Sequence, residues 1–235
     1  MSSRVLVLAA VTIMAATLGC SGPALASPAP VQITGTRLES ALLPPTDFAQ
    51  YAEVIRKFNS GSHLKDEPAV DHIATMSCKN LLSLFPGPGF GPTAYAGDTV
   101  ADIQPPVPTY GQSVFQFDRT SAATALYTQA AAGYARCRSV TVRIAGSPEP
   151  VSETVHSVSK VLAGRHQAFA VSLSETVSKI PGRPDTRITA TVDVLVAAKG
   201  ADLFTVSRSC QGSPPATPAL SDVIGELIAS VQALR

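Results

Sequence analysis

The sequence predicts an α+β domain in which an antiparallel β-sheet meander carries helices packed on it, and three observations support that reading. Five runs, 140–144, 151–161, 167–177, 187–197 and 202–208, alternate or are rich in β-branched residues, and turns bearing Gly or Pro separate them. Residues 119–136 are crowded with alanine and threonine around Leu126, Tyr127 and Tyr134, the composition of a helix whose small side chains permit close approach to a sheet. The final segment places Leu220, Val223, Ile224, Leu227, Ile228, Val231 and Leu234 at i, i+3, i+4, i+7 spacing after Thr217-Pro218, read as a cap followed by a first-turn proline.

The earlier elements follow in order. Arg4 precedes an apolar run over 5–19, the charge-then-apolar pattern of a secretory signal and too short to span a bilayer comfortably, so the chain is read as exported. Two cleavage sites compete. Ala16-Thr17-Leu18-Gly19-Cys20 reads as a lipobox, giving a signal peptide over 1–19 and a diacylglycerol on the thiol of Cys20; Ala24-Leu25-Ala26 reads as an ordinary site that releases a soluble chain from Ser27. The lipobox is preferred, because a small residue directly before a cysteine at the end of the apolar run suits it. Residues 20–36 are then a tether rich in Pro, Ala and Ser, and 37–235 the folded domain. Within that domain, 37–43 closes a turn before Pro44-Pro45. Phe48, Tyr51, Val54, Ile55 and Phe58 suggest a helix over 47–58. Val70, Ile73, Ala74, Leu81, Leu82 and Leu84 suggest another, with a strand as the alternative, and the alternating Pro and Gly of 86–92 require a loop. From Tyr95 the signals turn to β, with 114–117 strand-like.

Composition excludes some functions. The 235 residues carry 18 basic and 17 acidic side chains, so there is no cationic excess to displace counterions from nucleic acid. With 45% apolar residues the chain can repay the entropy of ordering. Catalytic constellations are absent from the sequence. His63, His72, His156 and His166 show no metal-ligand spacing, and no residue is assigned to a metal. His63 and His166 sit in polar or turn-like sequence and read as solvated, His156 lies mid-strand, and His72 follows Asp71 on the expected helix. No G-x-S-x-G elbow occurs, and Gly87-Pro88-Gly89-Phe90-Gly91 cannot cradle phosphate, since proline removes an amide donor and no G-K-[ST] follows. No cofactor is expected.

Cysteines carry more. Export places them in an oxidising compartment. With Cys20 lipidated or removed, Cys78, Cys137 and Cys210 allow one bridge and leave one thiol, and spacing does not choose among the three pairings. Any of them would stabilise by roughly 4 to 5 kcal/mol in the chain-entropy model.

The order of these features resembles the extracellular sensor domain of the mycobacterial Ser/Thr kinase PknH, which also occurs alone in exported mycobacterial lipoproteins. The likeness runs from Arg37 to Arg235: Leu38, Leu42 and Leu43 at the start, Cys78, the strand 114–117, an Ala-rich helix ending in Tyr134-Ala135-Arg136-Cys137, a β meander closing with Leu203 to Cys210, and the terminal helix. In the family the aromatic before the second cysteine is usually Trp, and Tyr134 stands here. The family has four cysteines in two sequential bridges, so the resemblance implies a Cys78–Cys137 bridge and leaves Cys210 unpaired. It also implies a cleft for an extracellular ligand. The expected function is a non-enzymatic, lipid-anchored module of the cell envelope that binds a small or lipid-like ligand or an envelope partner, with the membrane reached through its N-terminal anchor and no nucleic acid bound. An exported hydrolase with an unrecognised site and a purely structural envelope protein are the alternatives.

Overall fold

The computed structural model describes residues 33–60, 70–73, 91–102, 108–144, 151–178, 187–212, 215 and 218–235. The signal peptide, Cys20, the alternative cleavage site, His63, Cys78 and most of the Pro/Gly loop lie outside them. Among the described residues one nine-stranded antiparallel sheet has the order β1-β3-β4-β9-β8-β7-β6-β5-β2. Its strands are β1 (Ala52–Asn59), β2 (Val70–Ile73), β3 (Ala94–Asp102), β4 (Thr109–Gln116), β5 (Ser139–Ile144), β6 (Val151–Ala163), β7 (His166–Ser178), β8 (Arg187–Lys199) and β9 (Asp202–Gln211), with α1 (Gly35–Glu39), α2 (Thr120–Arg136) and α3 (Leu220–Gln232). The expected α+β class holds. The meander accounts for β5 through β9 alone, because β4 pairs along its whole length with β9 and so joins the N-terminal strands to the rest.

Two hydrophobic layers flank the sheet. On one face, Tyr110 and Val114 of β4, Phe204 and Val206 of β9 and Leu195 of β8 meet Val223, Ile224, Leu227, Ile228 and Val231 of α3 together with Ile33, Leu38 and Phe48 of the N-terminal strap. On the other, Phe115, Phe169, Val171, Val194 and Leu203 meet Ala123, Leu126, Ala130 and Tyr134 of α2, whose small residues bring it close to the strands. Burial of both faces explains why the central strands are apolar on successive residues as well as alternate ones.

Four expectations are corrected. The 47–58 helix is instead a 3₁₀ turn (Pro45–Asp47) followed by the edge strand β1. Phe48 and Tyr51 precede that strand, and within it a bulge between Val54 and Arg56 leaves Ile55 as an extra residue that breaks the period of two. Val70–Ile73 form strand β2, so His72 is on a strand and not a helix. The fold begins before Arg37: Ile33 is buried, and the Thr34 hydroxyl caps α1 by accepting from the Arg37 amide at 3.3 Å. Finally, Ala219 rather than Thr217 is the N-cap of α3, and Pro218 precedes the cap instead of following it.

Two buried glutamines on β4 fasten the strap. Gln116 accepts from the Ile33 amide at 2.7 Å, while Gln112 accepts from the Leu43 amide at 3.0 Å and donates to the Leu43 carbonyl at 2.8 Å. Each supplies to an irregular backbone the partners a neighbouring strand would otherwise give.

Candidate ligand cleft

The hairpin joining β6 to β7 turns in two residues, Gly164-Arg165, because Ala163 pairs with His166. Gly164 has φ 59°, the left-handed value that a two-residue hairpin asks of its first central residue. The turn lies between the two helical layers, and a groove forms on either side of it.

The smaller groove, about 410 Å³, is lined by Tyr127, Lys160, Val161, Leu162, Gln167 and Ala168. Strand register places Lys160 opposite Phe169 and Leu162 opposite Gln167, so all four share the face toward α2. Tyr127 reaches the groove from α2 and rests on Phe169, ring centroids 5.2 Å apart, and partial burial pushes its phenol pKa up. Leu162 is 68% exposed, the most exposed large apolar side chain among the described residues. The groove is lined by apolar side chains together with an ammonium, a phenol and an amide, and its volume falls in the range of small-molecule sites. The larger groove, about 620 Å³, runs along α3 and is lined by Arg165, His166, Ser221, Asp222, Gly225 and Glu226 among others. His166 is therefore half-buried against this groove and not simply solvated.

His156 occupies the register shift between Val155 and Ser157, and its Nε2 lies 3.1 Å from the Ser174 hydroxyl on an exposed part of the sheet. Neither groove includes this pair. Among the described residues no group of three or more His, Cys, Asp or Glu is placed to hold a metal ion, and no helix is long and apolar enough to cross a membrane. Cys210 is a free, buried thiol whose pKa burial pushes up, and Cys137, buried at the C-cap of α2, is not free. Tyr134 is buried, its ring centroid 6.3 Å from that of Phe169.

Sequence reasoning found none of the groove residues except Tyr127 as a helix position and His166 as a turn position. No motif links Tyr127 to Lys160 and Leu162; the packing of α2 on the β6–β7 hairpin brings them together.

No family model matches the chain, and no curated protein sequence matches it. Among solved structures, the extracellular domain of PknH from Mycobacterium tuberculosis aligns with a TM-score of 0.60 at 14% identity, over 86% of this chain and 97% of that one. An uncharacterised protein from Mycobacterium smegmatis aligns with a TM-score of 0.39 at 11% identity, over 85% of this chain and 94% of that one. The chain thus has the fold of the PknH extracellular domain, the architecture that the cysteine, strand and helix order anticipates.

Proposed function

We propose that the protein is a non-enzymatic binding module of the cell envelope, anchored by a diacylglycerol on Cys20, that holds a small amphiphilic ligand in the groove between α2 and the β6–β7 hairpin. The groove itself carries the reading: Leu162 offers apolar contact beside Lys160, Tyr127 and Gln167, which suit an anionic or hydroxyl-bearing head group. The likeness to an extracellular domain supports the extracytoplasmic setting. A Cys78–Cys137 bridge belongs to the same proposal, supported by Cys210 being free while Cys137 is not.

Native mass spectrometry of protein taken from an envelope extract tests all three parts. The expected spectrum shows a retained non-covalent mass, a chain beginning at Cys20 with a covalent diacylglycerol, and, after non-reducing digestion, a Cys78–Cys137 peptide. Lys160→Glu should cut retention of the ligand about tenfold, the cost of losing one charge-assisted contact. Wild-type protein with no retained mass would remove the binding reading, a chain starting at Ser27 would remove the anchor, and a Cys137–Cys210 peptide would remove the pairing.

A second reading, an exported hydrolase, is favoured by the contact between His156 and Ser174. It predicts that Ser174 is labelled by a fluorophosphonate and that His156→Ala abolishes labelling. Under the binding reading neither occurs.

A further inference from the structure

Strand register sets a buried aspartate directly across from each of the two glutamines that fasten the strap. On β4, Gln112 pairs with Asp98 of β3, and Gln116 pairs with Asp202 of β9. Each glutamine therefore joins strap backbone on one side to a carboxyl group on the other. Leu43, Gln112 and Asp98 form one couple, and Ile33, Gln116 and Asp202 the second. None of the four polar side chains belongs to a residue more than 3% exposed.

The couples differ in how charge is balanced. Asp202 meets the Arg235 guanidinium at 2.6 Å. Asp98 has no such contact: its Oδ1 is without a hydrogen-bond partner, and the cation that faces it is Lys57, directly across on β1. Lys57 lies 3.7 Å from Glu39 of α1, whose negative charge also bears on Asp98. Other charged groups of the surrounding elements are directed elsewhere. Arg37 of α1 donates to the Leu234 carbonyl at 2.6 Å, and Asp47 of the 3₁₀ turn is exposed. Glu53 and Arg56 of β1 pair with Ala101 and Thr99, on the opposite face of β3 from Asp98. β4 carries no charged side chain, and its Tyr110 is packed against Phe48. An ionised Asp98 thus keeps an unpaired oxygen away from water while the strap is closed and gains water when that part of the strap lifts; the neutral acid has far less to gain.

We propose that Asp98 is a proton-operated latch for the strap: the Leu43 end is held shut while Asp98 is protonated and loosens when it ionises, whereas the Ile33 end, balanced by Arg235, stays fastened. Loosening lifts Leu43 and Phe48 from Tyr110, which is otherwise buried. The sign follows from burial, which holds the closed-state acid at about 6 against 3.8 for the free carboxyl. The closed strap binds the proton more tightly, so closure is favoured in full below about pH 4 and loses that contribution as the pH rises through 6. A difference of about two units makes opening up to about a hundredfold more frequent at pH 7.5 than at pH 4.

Residue-resolved amide hydrogen exchange reads both couples, because the Leu43 amide donates to Gln112 and the Ile33 amide to Gln116. After correction for the intrinsic pH dependence of exchange, Leu43 protection is expected to fall by up to about a hundredfold from pH 4 to 7.5 and Ile33 protection by less, with Leu227 of α3 more protected than Leu43 throughout. Asp98→Asn should abolish the fall at Leu43. Glu39→Gln, which leaves the Lys57 charge to Asp98 alone, should move the transition to lower pH. Leu43 protection that is independent of pH, that falls equally in Asp98→Asn, that is matched by an equal fall at Ile33, or that equals Leu227 protection at every pH would overturn the proposal.

Discussion

Replacing Arg235 with Ala is expected to destabilise the fold by about 3 kcal/mol near neutral pH, with the loss shrinking as the pH falls. Asp202 opens β9 with only 1% of its surface exposed, and Arg235 meets its carboxylate at 2.6 Å. Burial alone pushes the Asp202 pKa up, against the opposing pull of the Arg235 charge, the Arg235 hydrogen bond and a hydrogen bond from Gln116. With the guanidinium gone, Gln116 at 3.5 Å is the remaining donor of those, and an ionised carboxylate sits in an apolar layer. Breaking a buried pair from the more exposed side leaves the more buried charge uncompensated, which is the costly direction. Asp202 then takes up a proton at a higher pH than in the wild type, so the penalty is full where the group is ionised and fades once it is neutral. Denaturant unfolding at several pH values checks this. A difference between variant and wild type that stays constant from pH 4 to about 7.5 would show that Arg235 acts by packing alone.

The same residues show what the sequence could and could not convey. Strands β4 through β9 are legible because alternation and β-branching report local backbone geometry, and the terminal helix is legible because its stripe has a single period. Residues 47–58 mislead for a physical reason. Tyr51 and Ile55 are 46% and 63% exposed in the structure, so two of the five side chains that made the helical stripe are not core at all. A bulge on an edge strand moves apolar residues off the period of two without changing their identity.

Sheet order is illegible for another reason. The pairing of β9 with β4 joins segments about ninety residues apart, and no local pattern encodes it. Gln112 and Gln116 share a strand face with Tyr110 and Val114 and are polar residue types that ordinarily face solvent, yet both are fully buried because the N-terminal strap covers them. Only knowledge that irregular backbone lies on that face identifies them as its hydrogen-bond partners. The cleft shares this dependence on tertiary structure. Lys160, Leu162 and Gln167 are ordinary strand residues until the two-residue turn sets their register and α2 supplies Tyr127.

Asp98→Asn is expected to stabilise the protein by about 2 kcal/mol near pH 7.5 and to bring no gain below about pH 4. Asp98 lies on β3 with 3% of its surface exposed, and one carboxylate oxygen, Oδ1, has no hydrogen-bond partner. Burial raises its pKa to about 6, a hydrogen bond with Gln112 and the charge of Lys57 oppose the rise, and Glu39 adds to it. Lys57 also lies 3.7 Å from Glu39, so its charge is shared between two carboxylates. Asp202 has a guanidinium partner, and Asp98 has none comparable. Because the folded pKa exceeds the unfolded one, the native state binds the proton more tightly, and the group's contribution to stability falls as the pH rises from about 4 through 6. A shift of about two units corresponds to about 3 kcal/mol at neutral pH, of which the new Asn amide, buried where Oδ1 finds no partner, returns about 1. The variant should therefore lose that part of the wild type's downward slope between pH 4 and 6, so that the two stability curves cross in that range and the variant lies about 1 kcal/mol below wild type at the acid end. Chemical denaturation across that range decides the matter, and a variant less stable than wild type at pH 7.5 would mean that the Asp98 carboxylate is held by partners strong enough to favour its charge.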